Sequence, residues 1–166
     1  VKDGTVIEES MDFSEKNYAS IEALNQILKR IIFPKQFSKN EQFKIEQEDY
    51  FFLRYWMSRT PNEVTIPFYD RETFFDSYGK FFIYGDKKGE MTNTTRIYNK
   101  VGLAYGTTTD VAYVKDRNGI EFFLTTTILT NKNEIFNDNN YEYDQLGIPF
   151  LAALGREIYQ FEKNKN

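Results

Sequence analysis

The sequence of 166 residues contains neither cysteine nor histidine. Without cysteine the chain cannot form a disulfide or use a catalytic thiolate. Without histidine it cannot build a serine–histidine–aspartate triad, a cysteine–histidine dyad or a histidine-based zinc site. Any catalysis must therefore use lysine, tyrosine, aspartate, glutamate, serine or threonine, and we expect neither a cofactor nor a bound metal.

Long apolar runs and a basic surface are also missing. No stretch of ~18 apolar residues occurs, so we expect no membrane-spanning helix. The net charge is -4 and the isoelectric point is about 5.0, which argues against nucleic-acid binding because that usually requires a basic face. No charged-then-apolar signal segment follows Val1, so we expect a mature protein or an excised piece.

The residues that are present indicate one folded domain over residues 1–166. The chain is 40% hydrophobic and 17% aromatic, which is enough for a real core at this length. The order of patterns is an extended arm, helices, strands and a last helix. Such segregation predicts an α+β fold, with a three-stranded antiparallel meander and a C-terminal helix packed on it.

Helical patterns lie before and after the predicted sheet. Ser20 is a suitable N-cap for a helix whose apolar stripe ends at Ile31, and Pro34 terminates it. A second helix follows the acidic residues near Glu46, and a final helix covers about 144–163. The second helix is predicted to bury one side, formed by Tyr50, Leu53, Trp56 and Met57.

Three segments rich in Val, Ile, Thr, Tyr and Phe predict the meander, namely 96–106, 108–115 and 120–130. Short turns containing Gly separate them. The run at 80–84 fits either a short strand or a buried helical turn. The cluster of Tyr and Phe over 50–84 can be core or the lining of a sugar cleft.

One strand contains Asn99-Lys100-Val101-Gly102-Leu103, and the next reads Thr109-Asp110-Val111-Ala112. Together with the order of elements and the segment Asn137–Tyr159, these residues resemble class A β-lactamases and penicillin-binding proteins, in particular a serine-hydrolase subgroup found in Bacteroidetes. In these families a Lys-Thr/Ser-Gly box lies on a strand at the edge of the active site. The resemblance implies a partial β-lactamase/transpeptidase-like fold, the C-terminal portion of a larger serine hydrolase.

The resemblance also implies roles for individual residues. Lys100 would supply positive potential to a substrate carboxylate, Gly102 would let the strand approach the substrate, and Leu103 would offer a backbone N–H to an oxyanion. Val101 stands where the family has a hydroxyl, so it cannot donate a hydrogen bond to the substrate. Asp110 is expected to be structural. The alternative for Lys100 is a strand lysine that reaches solvent.

The family nucleophile, the Ser of a Ser-x-x-Lys at a helix start, is not recognised in its usual place before the box. Ser77-Tyr78-Gly79-Lys80 matches by spacing, but it lies close to Lys100 and lacks the context of a helix start. Ser38-Lys39-Asn40 matches a Ser-x-Asn box in residue types alone, since it lies in a connection between two predicted helices. We therefore interpret the chain as inactive alone.

Two functions remain open at this point. One is the C-terminal segment of a serine hydrolase that performs acyl transfer on an amide or ester, with a small-molecule or peptidoglycan-type substrate. The other is a non-catalytic, envelope-associated binding module. The resemblance implies the bacterial cell envelope or periplasm. The edge of the 120–130 strand offers unpaired backbone groups, so we expect the N-terminal arm, a second copy or a crystal neighbour to cover it.

An acidic segment raises the further possibility of a cation site. Asp138, Asn140, Glu142 and Asp144 have the alternating spacing of a calcium loop. The segment lacks the Gly that such a loop needs, and Tyr143 stands there instead. We therefore favour a turn that caps the last helix, and we expect no metal.

Overall fold

A computed structural model describes residues 2–89, 91 and 94–165. It confirms the α+β class: helices come first, three antiparallel strands follow, and a long helix ends the chain. The elements are α1 Ile21–Ile32, α2 Gln47–Ser58, the short kinked α3 Phe81–Tyr84, β1 Thr95–Ala104, β2 Thr107–Asp116, β3 Glu121–Leu129 and α4 Ile148–Lys163.

Helix α1 begins and ends where the sequence predicted. The Ser20 hydroxyl accepts a hydrogen bond from the backbone N–H of Ala23 at 3.0 Å, which caps the start of the helix. The helix ends at Ile32, two residues before Pro34. Leu28 and Ile32 are buried against β2, so the apolar stripe of α1 covers one face of the sheet.

Helix α2 starts with a capping box, in which the Asp49 carboxylate accepts from the backbone N–H of Glu46. Tyr50 is buried, and Leu53 and Met57 are half-buried. The predicted burial of Trp56 is wrong, because 45% of this residue is exposed. Leu53 and Met57 are four residues apart and share the inner face, whereas Trp56 belongs to the outer face.

The sheet has the order β1-β2-β3, with both pairs antiparallel. Alternation along the strands sends side chains to two covered faces. Val111 and Tyr113 pack against α1, whereas Ala112 and Val114 pack with α3 and α4. The sheet therefore forms a middle layer, and its central strand is enclosed.

Helix α4 packs on one face of the sheet, as predicted, and this is the face opposite α1. Its regular part begins at Ile148, after a π-helical turn, Tyr143–Gly147. Gly155 lets α4 approach α3 closely, since a Cβ there would lie 2.6 Å from the Ile83 nitrogen. The Arg156 guanidinium holds this contact by pairing with Asp86 at 2.7 Å. The last helix is thus fixed to the segment that precedes the sheet.

The N-terminal arm does not extend the sheet. Among the residues that the structure describes, no strand pairs with the outer side of β3. The arm instead places Phe13 edge-on against Tyr105 and Phe136. Covering of the β3 edge by the arm is therefore not observed. Within the same described part, no helix is long and apolar enough to cross a membrane.

Candidate functional site

A groove of about 740 Å³ lies beside the end of β1. Its walls come from three segments: 75–88, the strand residues 101–103, and the start of the last helical region at 144–149. Strand β1 is an outer strand of the sheet, so its end reaches the groove without another strand in between. Aromatic and aliphatic side chains supply much of the lining, including Phe75, Tyr78, Phe81 and Ile148.

Three of the residues singled out from the sequence line this groove, namely Val101, Gly102 and Leu103. At Gly102 a Cβ would meet nothing within 4 Å. Strand alternation puts this open space on the same face as Lys100, opposite the side chain of Val101, so Gly102 lines the groove with its backbone alone. Val101 is half-buried and contributes an apolar wall without a hydroxyl.

Lys100 does not line the groove. It is paired in register with Val111, and strand alternation places it on the face opposite Val101. Its side chain is exposed, and its ammonium donates to the Val101 carbonyl at 2.9 Å. The contribution of Lys100 to anion binding therefore stays a prediction that requires the side chain to turn over the strand edge.

Beneath the groove lies a buried polar cluster centred on Lys80. This residue stands between two lining residues, Gly79 and Phe81, but its own side chain points inward and is 4% exposed. The ammonium donates three hydrogen bonds, to the Met57 carbonyl at 2.6 Å, the Ile97 carbonyl at 3.0 Å and Asn99 Oδ1 at 2.8 Å. All three of its N–H groups are thus used.

Asn99 connects Lys80 to Asp110. Its Nδ2 donates to Asp110 Oδ1 at 3.0 Å and to the Gly79 carbonyl at 2.8 Å. The backbone N–H of Phe82 donates to Asp110 Oδ2 at 3.3 Å. We define Lys80, Asn99 and Asp110 as the buried triad. It joins β1 and β2 to the segment that forms the groove floor.

Burial controls the protonation of both charged members of the triad. Desolvation lowers the pKa of Lys80 to about 8, and the nearby Asp110 carboxylate partly opposes this change. Desolvation raises the pKa of Asp110 to about 7, although the hydrogen bond from Asn99 favours its ionised form. Near neutral pH, a small change in surroundings therefore alters the charge of either group.

The match of Ser77 and Lys80 to a Ser-x-x-Lys motif does not produce a nucleophile–base pair. The Ser77 hydroxyl is buried and donates to the Lys87 carbonyl, and no hydrogen bond between Ser77 and the Lys80 ammonium is found among the described residues. Since the charged ammonium already uses every N–H and has no free lone pair, it cannot accept the serine proton. Ser38 is exposed and donates to Glu41.

The other candidates serve local structure. Arg96 on β1 pairs with Glu63 at 2.6 Å. Asp138 accepts from the backbone N–H of Asn140 in an Asx turn. In the described ranges, no group of three or more acidic side chains is placed to hold a metal ion.

Sequence reasoning missed the connection between Lys80 and Asn99. A usable signal exists for Asn99 and Asp110, because both are polar at strand positions whose neighbours two residues away, Ile97 and Ala112, face the core. No comparable local signal marks Lys80, which looks like an ordinary lysine in a loop. Comparison with known protein families, curated proteins and solved structures gave no match to this chain.

Proposed function

We propose that this chain is the C-terminal, groove-bearing part of a β-lactamase-like serine hydrolase that acts by acyl transfer on an amide or ester. The observation that carries the proposal is that the backbone of Gly102, on an outer strand of the sheet, lines an apolar groove. Such an edge suits a substrate that must lie against main-chain N–H groups while negative charge develops on its carbonyl oxygen.

The position of Lys100 is compatible with this proposal if its side chain moves. Its ammonium is held by one exposed hydrogen bond to the Val101 carbonyl. An exposed bond of this kind contributes only about 1 kcal/mol or less. A substrate carboxylate at the strand edge would therefore compete effectively for the ammonium group.

Catalysis by the chain alone is not expected, because Ser77 is buried and lacks a basic partner. The attacking serine of the proposed hydrolase would come from another part of a longer protein. We propose a small-molecule or peptidoglycan-type substrate and a place in the bacterial cell envelope or periplasm. Both follow from the resemblance of the strand residues.

The test combines turnover with covalent labelling. The purified chain is incubated with nitrocefin, with an activated acyl ester and with a fluorophosphonate probe, and labelled peptides are located by mass spectrometry. Ser77→Ala serves as the matched control. We expect no turnover and no labelled serine, and labelling of Ser77 that is lost in the variant would overturn the claim that the chain has no nucleophile.

A second candidate function is a non-catalytic binding module with the same groove. Val101 favours it, since a hydroxyl that could hold a substrate carboxylate is missing at this position. The coding sequence upstream of Val1 separates the two candidates. A Ser-x-x-Lys helix encoded there supports the hydrolase, whereas a gene that starts here after a signal peptide supports the binding module.

A further inference from the structure

Helix α2 presents four aromatic rings on its outer side. Phe51 and Phe52 are 65% and 60% exposed, and Tyr55 and Trp56 are 37% and 45% exposed. The rings contact each other, with centroids 5.3 Å apart for Tyr55 and Trp56 and 6.2 Å apart for Phe52 and Trp56. We call these four residues the α2 aromatic face.

The fold does not need this surface for its own core. Helix α2 uses its other side for packing, through Tyr50, Leu53 and Met57. The Met57 carbonyl also accepts from the buried Lys80 ammonium. Contiguous exposed aromatic area that contributes nothing to the core is typical of an interaction surface.

Two carboxylates give the surface a preference for positive charge. Glu48 and Asp49 border the same shallow depression, of about 410 Å³, as the four rings. One oxygen of Asp49 accepts from the backbone N–H of Glu46. The faces of aromatic rings carry negative potential, so rings and carboxylates together attract a cation.

The chain itself shows that these rings accept a cation. The Arg59 guanidinium lies 4.0 Å from the centre of the Tyr55 ring, and Glu63 holds it there at 3.5 Å. This contact is at the C-terminal end of the helix, whereas Glu48 and Asp49 stand at the N-terminal end. The remaining ring surface between them offers a place for a cation from outside.

We propose that the α2 aromatic face binds a peptide segment of a partner protein in which a lysine or arginine is flanked by apolar residues. The apolar side chains cover the rings, and the cationic group reaches Glu48 and Asp49. A polyanion such as nucleic acid is disfavoured, since the depression carries carboxylates and the whole chain has a net charge of -4. The α2 aromatic face shares no residue with the groove at β1.

The experiment uses the fluorescence of Trp56, which is the only tryptophan of the chain. The full chain is titrated with a leucine-rich peptide that contains one lysine and, separately, with the same peptide carrying N-acetyl-lysine. We expect a saturable change in emission with the lysine peptide that weakens as salt increases. Acetylation replaces the ammonium group by a neutral amide, so it should weaken binding by roughly three- to tenfold.

Variants separate the surface from the rest of the molecule. Glu48→Gln should weaken the lysine peptide and leave the acetylated peptide unchanged, and Phe52→Ala should weaken both. Phe68→Ala is the matched control, because this phenylalanine is 80% exposed but does not line the depression, and it should change neither affinity. Circular dichroism checks that each variant is folded.

Several results would overturn the proposal. Equal affinity for both peptides, or an affinity that Glu48→Gln does not change, would remove the role of the cation. Emission that changes with protein concentration alone, and is abolished in Phe52→Ala, would identify a second copy of the chain as the occupant. Saturable binding of an oligosaccharide, with none of either peptide, would assign the rings to sugar stacking.

Discussion

Replacing Lys80 by methionine should destabilise the fold strongly. The change keeps most of the apolar volume of the side chain but removes three hydrogen bonds, to the Met57 and Ile97 carbonyls and to Asn99. It also leaves the buried Asp110 without the nearby positive charge. Removing one partner of a buried charged group costs about 3–5 kcal/mol, because the remaining polar groups stay desolvated.

Urea unfolding followed by Trp56 emission and by circular dichroism measures this effect. We expect the free energy of unfolding of Lys80→Met to fall by about 3–5 kcal/mol near pH 7.5. The control is Lys115→Met on β2, whose side chain is 57% exposed and lies 3.9 Å from Glu121. It should change stability by about 0.5 kcal/mol or less. A loss below about 1 kcal/mol for Lys80→Met, equal to that of the control, would refute the view that the ammonium anchors the groove floor.

Three other predictions concern protonation, helix packing and the sheet edge. Folding raises the pKa of Asp110 from 3.8 to about 7, so the contribution of this group to stability should fall as pH rises from 4 to 7. Folding lowers the pKa of Lys80 from 10.5 to about 8, so the free energy of unfolding should recover as pH rises from 8 to 10. Urea midpoints across this range should show a minimum between about pH 7 and 8. In Asp110→Asn the loss of stability between pH 4 and 7 should disappear. Identical pH profiles for the variant and the original chain would contradict the raised pKa of Asp110. Gly155→Ala should cost about 1–3 kcal/mol, since the new Cβ would lie 2.6 Å from the Ile83 nitrogen, and an unchanged melting temperature would show that α4 and α3 separate easily. The outer edge of β3 should pair with a second copy, so sedimentation should reveal a dimer at high concentration, whereas a monomer throughout, with rapidly exchanging β3 amides, would exclude this pairing.

Local signals were sufficient to predict much of the fold. Ser20 and Pro34 delimit α1 because capping and the missing proline N–H act within one helical turn. The Gly-containing turns between the strands predicted the meander for the same reason, and strand ends agree within two residues. Such features depend on neighbours in the chain, so a single sequence contains them.

The site was less accessible to sequence reasoning because its contacts are long-range. Lys80 meets Met57 and Asn99, which are 23 and 19 residues away along the chain, and no periodicity connects them. Trp56 shows the opposite error, since an apolar side chain was assigned to the core although the inner face of α2 was already filled. Hydrophobicity indicates what can be buried, and only the packed fold decides what is buried.

The central position of β2 determines how rigid the groove can be. This strand has a neighbour along each edge and helices over both faces, and its Asp110 side chain holds the backbone of Phe82 from below. Loosening the floor of the groove would therefore bring water to an ionisable group in the middle of the domain. The backbone that lines the groove beside β1 is therefore held in place by the packed interior of the domain.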